Sequence, residues 1–221
     1  MSVGAFFFDV DGTLVDSNGL HVQAWHEAFL RCGEDIPINA IRKQIGKGAD
    51  MLIPALLPNS GPALRKAVED AHGEIFRSRY LPQVRPFRRA TELIQTLHRR
   101  KLEIVLASSA KPEELEHYVR LLDIAALLAG TICSDDVDRS KPAGDIFAVA
   151  LKKVAPLPAT AILAVGDTPY DIQSAKGNGI ATLAVRSGAF TDAELQEPGA
   201  LEIYDNVAAI LGDLERVLTL I

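Results

Sequence analysis

Two aspartates one residue apart, Asp9 and Asp11, end the aromatic run of FFFDVDGTLVD, Phe6 to Asp16. If the strand that starts at Ala5 continues to Val10, its two-residue period sends both carboxylates to one side, where their charges repel. Something cationic is then expected between them. Two further carboxylates, Asp167 and Asp171, stand in GDTPYD; a lysine, Lys141, stands in SKPAGDIF; and the hydroxyls of Ser108 and Ser109 follow the apolar stretch Leu102 to Ala107. Carboxylates gathered this way suit a hard divalent cation, most simply Mg2+, bound through oxygen and keeping several of its waters.

These residues can meet only if the fold carries them to one edge. Short apolar runs at Ala5 to Val10, Glu103 to Ala107, Ala161 to Val165 and Ala181 to Val185 read as strands, with Thr131 to Cys133 as a weaker fifth. Most are followed by a polar turn and a segment of helical period, the alternation of a parallel sheet covered by helices. In Pro112 to Leu122 the residues Leu115, Tyr118, Val119 and Leu122 share a face, Pro112 fits the first helical position, and Glu113 and Glu114 suit the positive helix end. Asp145 to Val154 repeats the pattern. The fold expected is a doubly wound parallel α/β sheet, in which ligands bind beyond the carboxyl ends of the strands. The chemistry-bearing residues follow those ends.

From about Asn18 to about Gln83 the alternation stops. Val22, Trp25, Phe29 and Leu30 form one helical stripe, and Leu64, Val68, Ala71 and Ile75 another. The expected division is a core of residues 1–16 and 84–221 with a small α-helical domain, 17–83, inserted into it.

A hydrophobic share of 48% supports a substantial core, and a net charge of -6 argues against a general nucleic-acid binder. No secretory segment follows Met1 and no apolar run is long enough to span a bilayer, so a cytoplasmic location without membrane partners is expected. Cys32 and Cys133 match no zinc spacing and read as reduced thiols. His26, His72, His98 and His117 show no ligand spacing and read as structural or exposed. The cluster Arg77, Arg79, Arg85, Arg88 and Arg89 reads as a solvated face rather than a polyanion site.

Asp9, Asp11 and Thr13 as Asp-x-Asp-x-Thr, Ser108 at a strand end, Lys141 and the Asp167–Asp171 stretch occur in an order that resembles the haloacid-dehalogenase superfamily. The resemblance covers essentially the whole chain and is to the branch with a small helical cap over a Rossmann-like core, which includes phosphoglycolate phosphatase and beta-phosphoglucomutase. It implies that Asp9 is the nucleophile and becomes an aspartyl phosphate. Asp11 is then the acid that protonates the leaving oxygen and the base that activates water. The resemblance further implies that Mg2+ is held by Asp9, Asp167 and the backbone carbonyl of Asp11. Lys141, Ser108 and Ser109 would bind the phosphoryl group, while Thr13 and Gly12 shape the first loop. Asp171 is either a further ligand through water or a partner for Lys141. An aspartate at position 11 favours phosphate esters, because relatives that displace halide lack one.

In the cap, His21 corresponds to a gating histidine of beta-phosphoglucomutase. The loop Ile45 to Ala49 lacks that mutase's substrate arginine, which favours hydrolysis, with Lys47 in reach of a substrate anion. The expected activity is Mg2+-dependent hydrolysis of a small phosphorylated metabolite, a sugar phosphate or phosphoglycolate. A phosphosugar mutase and a catalytically silent phosphometabolite-binding protein are the alternatives. The oligomeric state is open between monomer and dimer.

Overall fold

Phe6, Phe7 and Phe8 are all fully buried, which a strand achieves only with both faces covered. In the computed structural model, which describes residues 3–221, this strand is the middle of a parallel six-stranded sheet. The strands are β1 (Ala5–Phe8), β4 (Glu103–Ala107), β5 (Gly130–Ile132), β6 (Ile162–Gly166), β7 (Ala181–Val185) and β8 (Glu202–Tyr204). Their order is β5-β4-β1-β6-β7-β8. Phe6 and Phe8 pack into one apolar core, and Ala5 and Phe7 into the other on the opposite face. Phe7 stacks on Phe147 of helix α7 (Asp145–Lys153), ring centroids 6.3 Å apart.

The chain begins at β1, builds β4 and β5 on one side, then crosses to β6 on the other. That reversal leaves a crevice at the carboxyl end of β1. Helices α5 (Ala90–Arg99), α7 and α8 (Pro169–Lys176) pack on these strands, and α6 (Pro112–Leu122) sends Leu115, Tyr118 and Leu122 into the core that holds Phe6 and Phe8.

A two-stranded antiparallel ribbon, β2 (Val15–Asp16) and β3 (Arg85–Pro86), leads away from the crevice. Between its strands lie α1 (Asn18–Arg31), α2 (Ile38–Arg42), α3 (Ala49–Leu56) and α4 (Pro62–Ile75). A π-helical turn, Phe76–Tyr80, continues α4. Val22, Trp25 and Phe29 of α1 and Val68, Ala71 and Ile75 of α4 are buried.

Three sequence expectations change. The first strand ends at Phe8, not Val10, because Gly12, at φ 78°, folds the chain into a turn closed by Gly12 N–H to Val15 O and Val15 N–H to Val10 O. Leu30, expected on the buried stripe, is 48% exposed. β2, β3 and β8 were not anticipated, since segments of two or three residues carry no readable period. Among the described residues, no helix is long and apolar enough to cross a membrane.

Candidate active site

The register of the sheet delivers the site. Phe8 pairs with Leu106 on one side and Val165 on the other, so Asp9, Ser108 and Asp167 emerge together at one edge. Asp9 N–H donates to Val165 O at 2.9 Å, which holds the first carboxylate at the strand end.

Lys141 is fully buried and its Nζ lies 2.6 Å from Asp9 Oδ1 and 2.8 Å from Asp171 Oδ1. Thr13 Oγ1 lies 3.2 Å from both Asp9 Oδ2 and Asp167 Oδ1 and bridges them with its one proton. Asn18 Nδ2 donates to Asp167 Oδ2 at 2.7 Å. Asp171 caps its own helix, its Oδ2 accepting from Thr168 N–H at 3.0 Å. Gly12 belongs here sterically, since a Cβ at its position would collide with Asn18 and the Asp167 carboxylate.

Carboxylate oxygens of Asp9, Asp167 and Asp171 lie within 4.8 Å of one another. Three buried carboxylates against one ammonium leave excess negative charge. Burial pushes the Asp9 carboxyl above its usual range, and the charges of Asp171 and Asp11 add to this against Lys141. Burial, with Asp9 and Asp171, raises Asp167 still more clearly. The amide oxygen of Asn18, buried beside this group, has no donor among the described residues. An oxygen-rich, over-charged cluster of this kind fits a hard divalent cation, which would let the carboxylates ionise together.

Asp11 turns the other way. Its Oδ1 accepts from Ser17 Oγ at 2.6 Å and lies 3.1 Å from His21 Nε2. Asp9 thus contacts the Lys141 ammonium and Asp11 the His21 imidazole, and the Asp11 carboxylate lies outside the clustered three. Burial raises Asp11, but the His21 charge and the bonds from His21, Ser17 and Tyr118 overcome it and hold the carboxyl low. Burial lowers His21, and Asp11 reverses that and raises it.

His21 Nδ1 is 3.4 Å from Nε2 of His72, and His72 stacks on Trp25 with centroids 3.8 Å apart while His21 stacks on Phe76 at 3.7 Å. Burial, the His21 charge and Arg77 keep His72 neutral well below the usual histidine range. Below about pH 6.5 the unfolded chain therefore takes up a proton that folded His72 refuses, costing up to about 1.4 kcal/mol per pH unit. Denaturant titrations at pH 7 and 5.5 should show that His72→Phe flattens this acid loss; an unchanged slope would place the proton elsewhere.

Above Asp9 a cavity of about 680 Å3 opens between the helical layer and the sheet edge, and Asp11, His21, Lys47, Arg77, Ser109 and Glu114 are on its wall. Ser108 is buried beneath, its Oγ accepting from Ala110 N–H at 3.0 Å. Ser109 Oγ donates to Gly46 O at 3.4 Å. Lys47 does not join the aspartates: its Nζ donates to Gln44 at 2.6 Å and sits 4.5 Å from the Tyr170 ring centre. Ser140, next to Lys141, accepts from Gly48 N–H at 2.9 Å and donates to Asp50 through both its N–H and its hydroxyl.

Sequence reading missed Ser17, Asn18, His72, Tyr118 and Arg77. Ser17 and Asn18 follow the first motif directly and look like a helix start, yet Ser17 makes no cap and serves Asp11 instead. Arg77, Arg79, Arg85, Arg88 and Arg89 are all exposed, in keeping with a solvated face. Arg79 pairs with Glu27 and Arg89 with Glu92, whereas Arg77 faces the cavity. Cys32 and Cys133 are free thiols.

The model of the haloacid dehalogenase-like hydrolases matches residues 3–179. A phosphoglycolate phosphatase of Pseudomonas fluorescens is 31% identical over 218 residues, 92% of this chain and 77% of that protein. A phosphorylated carbohydrates phosphatase of Thermotoga maritima is 24% identical over 220 residues, 97% and 99% of the two chains. The crystal structure of a hydrolase from Pseudomonas syringae superposes with a TM-score of 0.90 at 26% identity, covering 96% of this chain and 98% of that one. With the family model matched from β1 through β6 and over the residues that converge at the sheet's edge, the chain belongs to the haloacid dehalogenase-like hydrolases.

Proposed function

We propose that the protein is a Mg2+-dependent phosphatase that hydrolyses a small phosphomonoester, of the sugar phosphate or phosphoglycolate type, through an aspartyl phosphate on Asp9. The observation that carries this reading is the Asp9 carboxylate held at 2.6 Å by buried Lys141, at the floor of the cavity and clustered with Asp167 and Asp171. The names of the Pseudomonas and Thermotoga relatives support the substrate class.

Asp9, Asp167 and the backbone carbonyl of Asp11 would hold Mg2+, which supplies charge neutralisation of carboxylates and phosphoryl oxygens. An oxygen of Asp9 attacks phosphorus, the bond to the ester oxygen breaks, and that oxygen takes a proton from Asp11. His21, 3.1 Å from Asp11, is placed to exchange this proton with it. Water then attacks the aspartyl phosphate, gives its proton to Asp11, and phosphate leaves with Asp9 restored. Lys141 neutralises Asp9 and the incoming oxygens, with Ser108 and Ser109 lining the phosphoryl side. Residues 17–83 act as the cap, excluding bulk water, with the Asp50–Ser140 and Gly48–Ser140 contacts joining it to the lysine loop. A cytoplasmic location suits a metabolite substrate.

Purified protein should release phosphate from p-nitrophenyl phosphate with Mg2+, lose this in EDTA, and regain it when Mg2+ is returned in excess. Release that survives EDTA would sink the metal assignment. Absence of release, with phosphate retained on a sugar phosphate whose position changes, would make the protein a mutase; turnover of neither would leave a binding protein.

A further inference from the structure

The charged groups that line the cavity are mostly matched. Lys66 pairs with Asp70, Lys111 with Glu69 and Asp135, Asp50 with Ser140, and Lys47 rests on Gln44 and Tyr170. Among the basic groups Arg77 is the exception: it is the only arginine on that wall, it is exposed, and it has no ion-pair or hydrogen-bond partner among the described residues. Its neighbours along the chain do have partners, Arg79 in Glu27 and Arg85 in the carbonyls of Pro82 and Val84.

The helix makes room for this side chain. Side chains on a helix lean toward its N-terminus, so Arg77 lies back over the turn that contains Gly73. Gly73 is buried in α4, where glycine weakens a helix, and an added Cβ there would sit 2.8 Å from Arg77 Nη1. The glycine is thus a seat for the guanidinium. Arg77 also begins just inside the π-helical turn Phe76–Tyr80, a device that redirects side chains and is frequent at functional sites. The charge of Arg77 reaches inward far enough to oppose protonation of His72 and to lower the buried Glu114 against the upward push of its burial.

A guanidinium is a planar fork matched to carboxylate or phosphate oxygens. We propose that Arg77, seated over Gly73, is a specificity-determining residue that receives a second oxyanion on the end of the substrate remote from the reacting phosphoryl group. This deepens the phosphatase reading and rests on it. The substrates selected are small phosphomonoesters with a further carboxylate or phosphate, in preference to neutral-tailed esters of similar size.

The test compares kcat/KM for 2-phosphoglycolate, a sugar bisphosphate and neutral-tailed glycerol phosphate in wild type, Arg77→Met, Arg77→Lys and Gly73→Ala. The preference ratio for the anionic-tailed substrates over glycerol phosphate should fall roughly 10- to 100-fold in Arg77→Met, mainly through KM. Arg77→Lys should recover part of it. Gly73→Ala keeps the charge but displaces the fork, so it should also lower the ratio. Whichever anionic substrate shows the larger loss identifies carboxylate or phosphate as the second group. Equal falls on all substrates, or an unchanged ratio, would overturn the proposal. Titration calorimetry of 2-phosphoglycolate into Asp9→Asn, with and without Arg77→Met, reads the same preference without turnover. A protein that hydrolyses none of these esters but loses affinity on Arg77→Met refutes the phosphatase reading and keeps the anion seat; no loss of affinity removes the seat as well.

Discussion

Asp9→Asn is expected to lower the rate of p-nitrophenyl phosphate hydrolysis by roughly 10^4-fold or more, the scale of losing a nucleophile. The amide is nearly isosteric and its oxygen can still accept from Lys141, so position is kept while the attacking charge is lost. Stability should move in the opposite sense. Burial already disfavours the Asp9 carboxylate, and the Asp171 and Asp11 charges add to the cost. Removing that charge from a crowded buried cluster should leave the metal-free variant at least as stable as the wild type in thermal melts. A variant that retains activity to within a hundredfold would show that another group attacks phosphorus. One that is inactive because it melts early would leave the loss without chemical meaning, so the melt belongs beside the assay.

Lys141→Met should cost both stability and activity. The ammonium is fully buried and contacts two carboxylates, Asp9 at 2.6 Å and Asp171 at 2.8 Å. Burial lowers the lysine pKa, but Asp171 and Asp9 more than reverse this and raise it, so Lys141 is charged throughout the neutral range. Its stabilising contribution is present below the ordinary lysine pKa and is lost only as pH rises through the higher folded value. Removing one partner from a buried ion pair typically costs about 3–5 kcal/mol, because the charges left behind are neither hydrated nor neutralised. Loss of the positive charge at the phosphoryl site should cost roughly a further 10^2- to 10^3-fold in kcat. Mg2+ should raise the melting temperature of Lys141→Met more than that of the wild type, since the site it enters has one fewer cation. A variant with wild-type stability and no enhanced response to Mg2+ would mean that the carboxylates are not charged together.

The sequence by itself determined the sheet and the order of its motifs. β1 and β4 are legible because strands buried on both faces must be apolar throughout, and Asp9, Ser108 and Asp167 stand at the points where those runs stop. Asp9, Asp11 and Thr13 lie within one turn of chain, so their neighbourhood is local and spacing alone shows it. Which partner each residue takes was decided only in three dimensions. Asn18 reaches Asp167 across 149 positions and Lys141 reaches Asp9 across 132, distances closed by strand register rather than by any local preference. His21 and His72 meet because α1 packs on α4, and helical period shows that a face is buried but not what it is buried against. The separation of Asp9 from Asp11 came from the Gly12 turn, which ended the strand before its alternation could align them. Arg77 is the sharpest case. In sequence it is one of several neighbouring arginines, and only the fold shows that this exposed side chain lies over Gly73 at the cavity wall while Arg79 and Arg89 pair with Glu27 and Glu92.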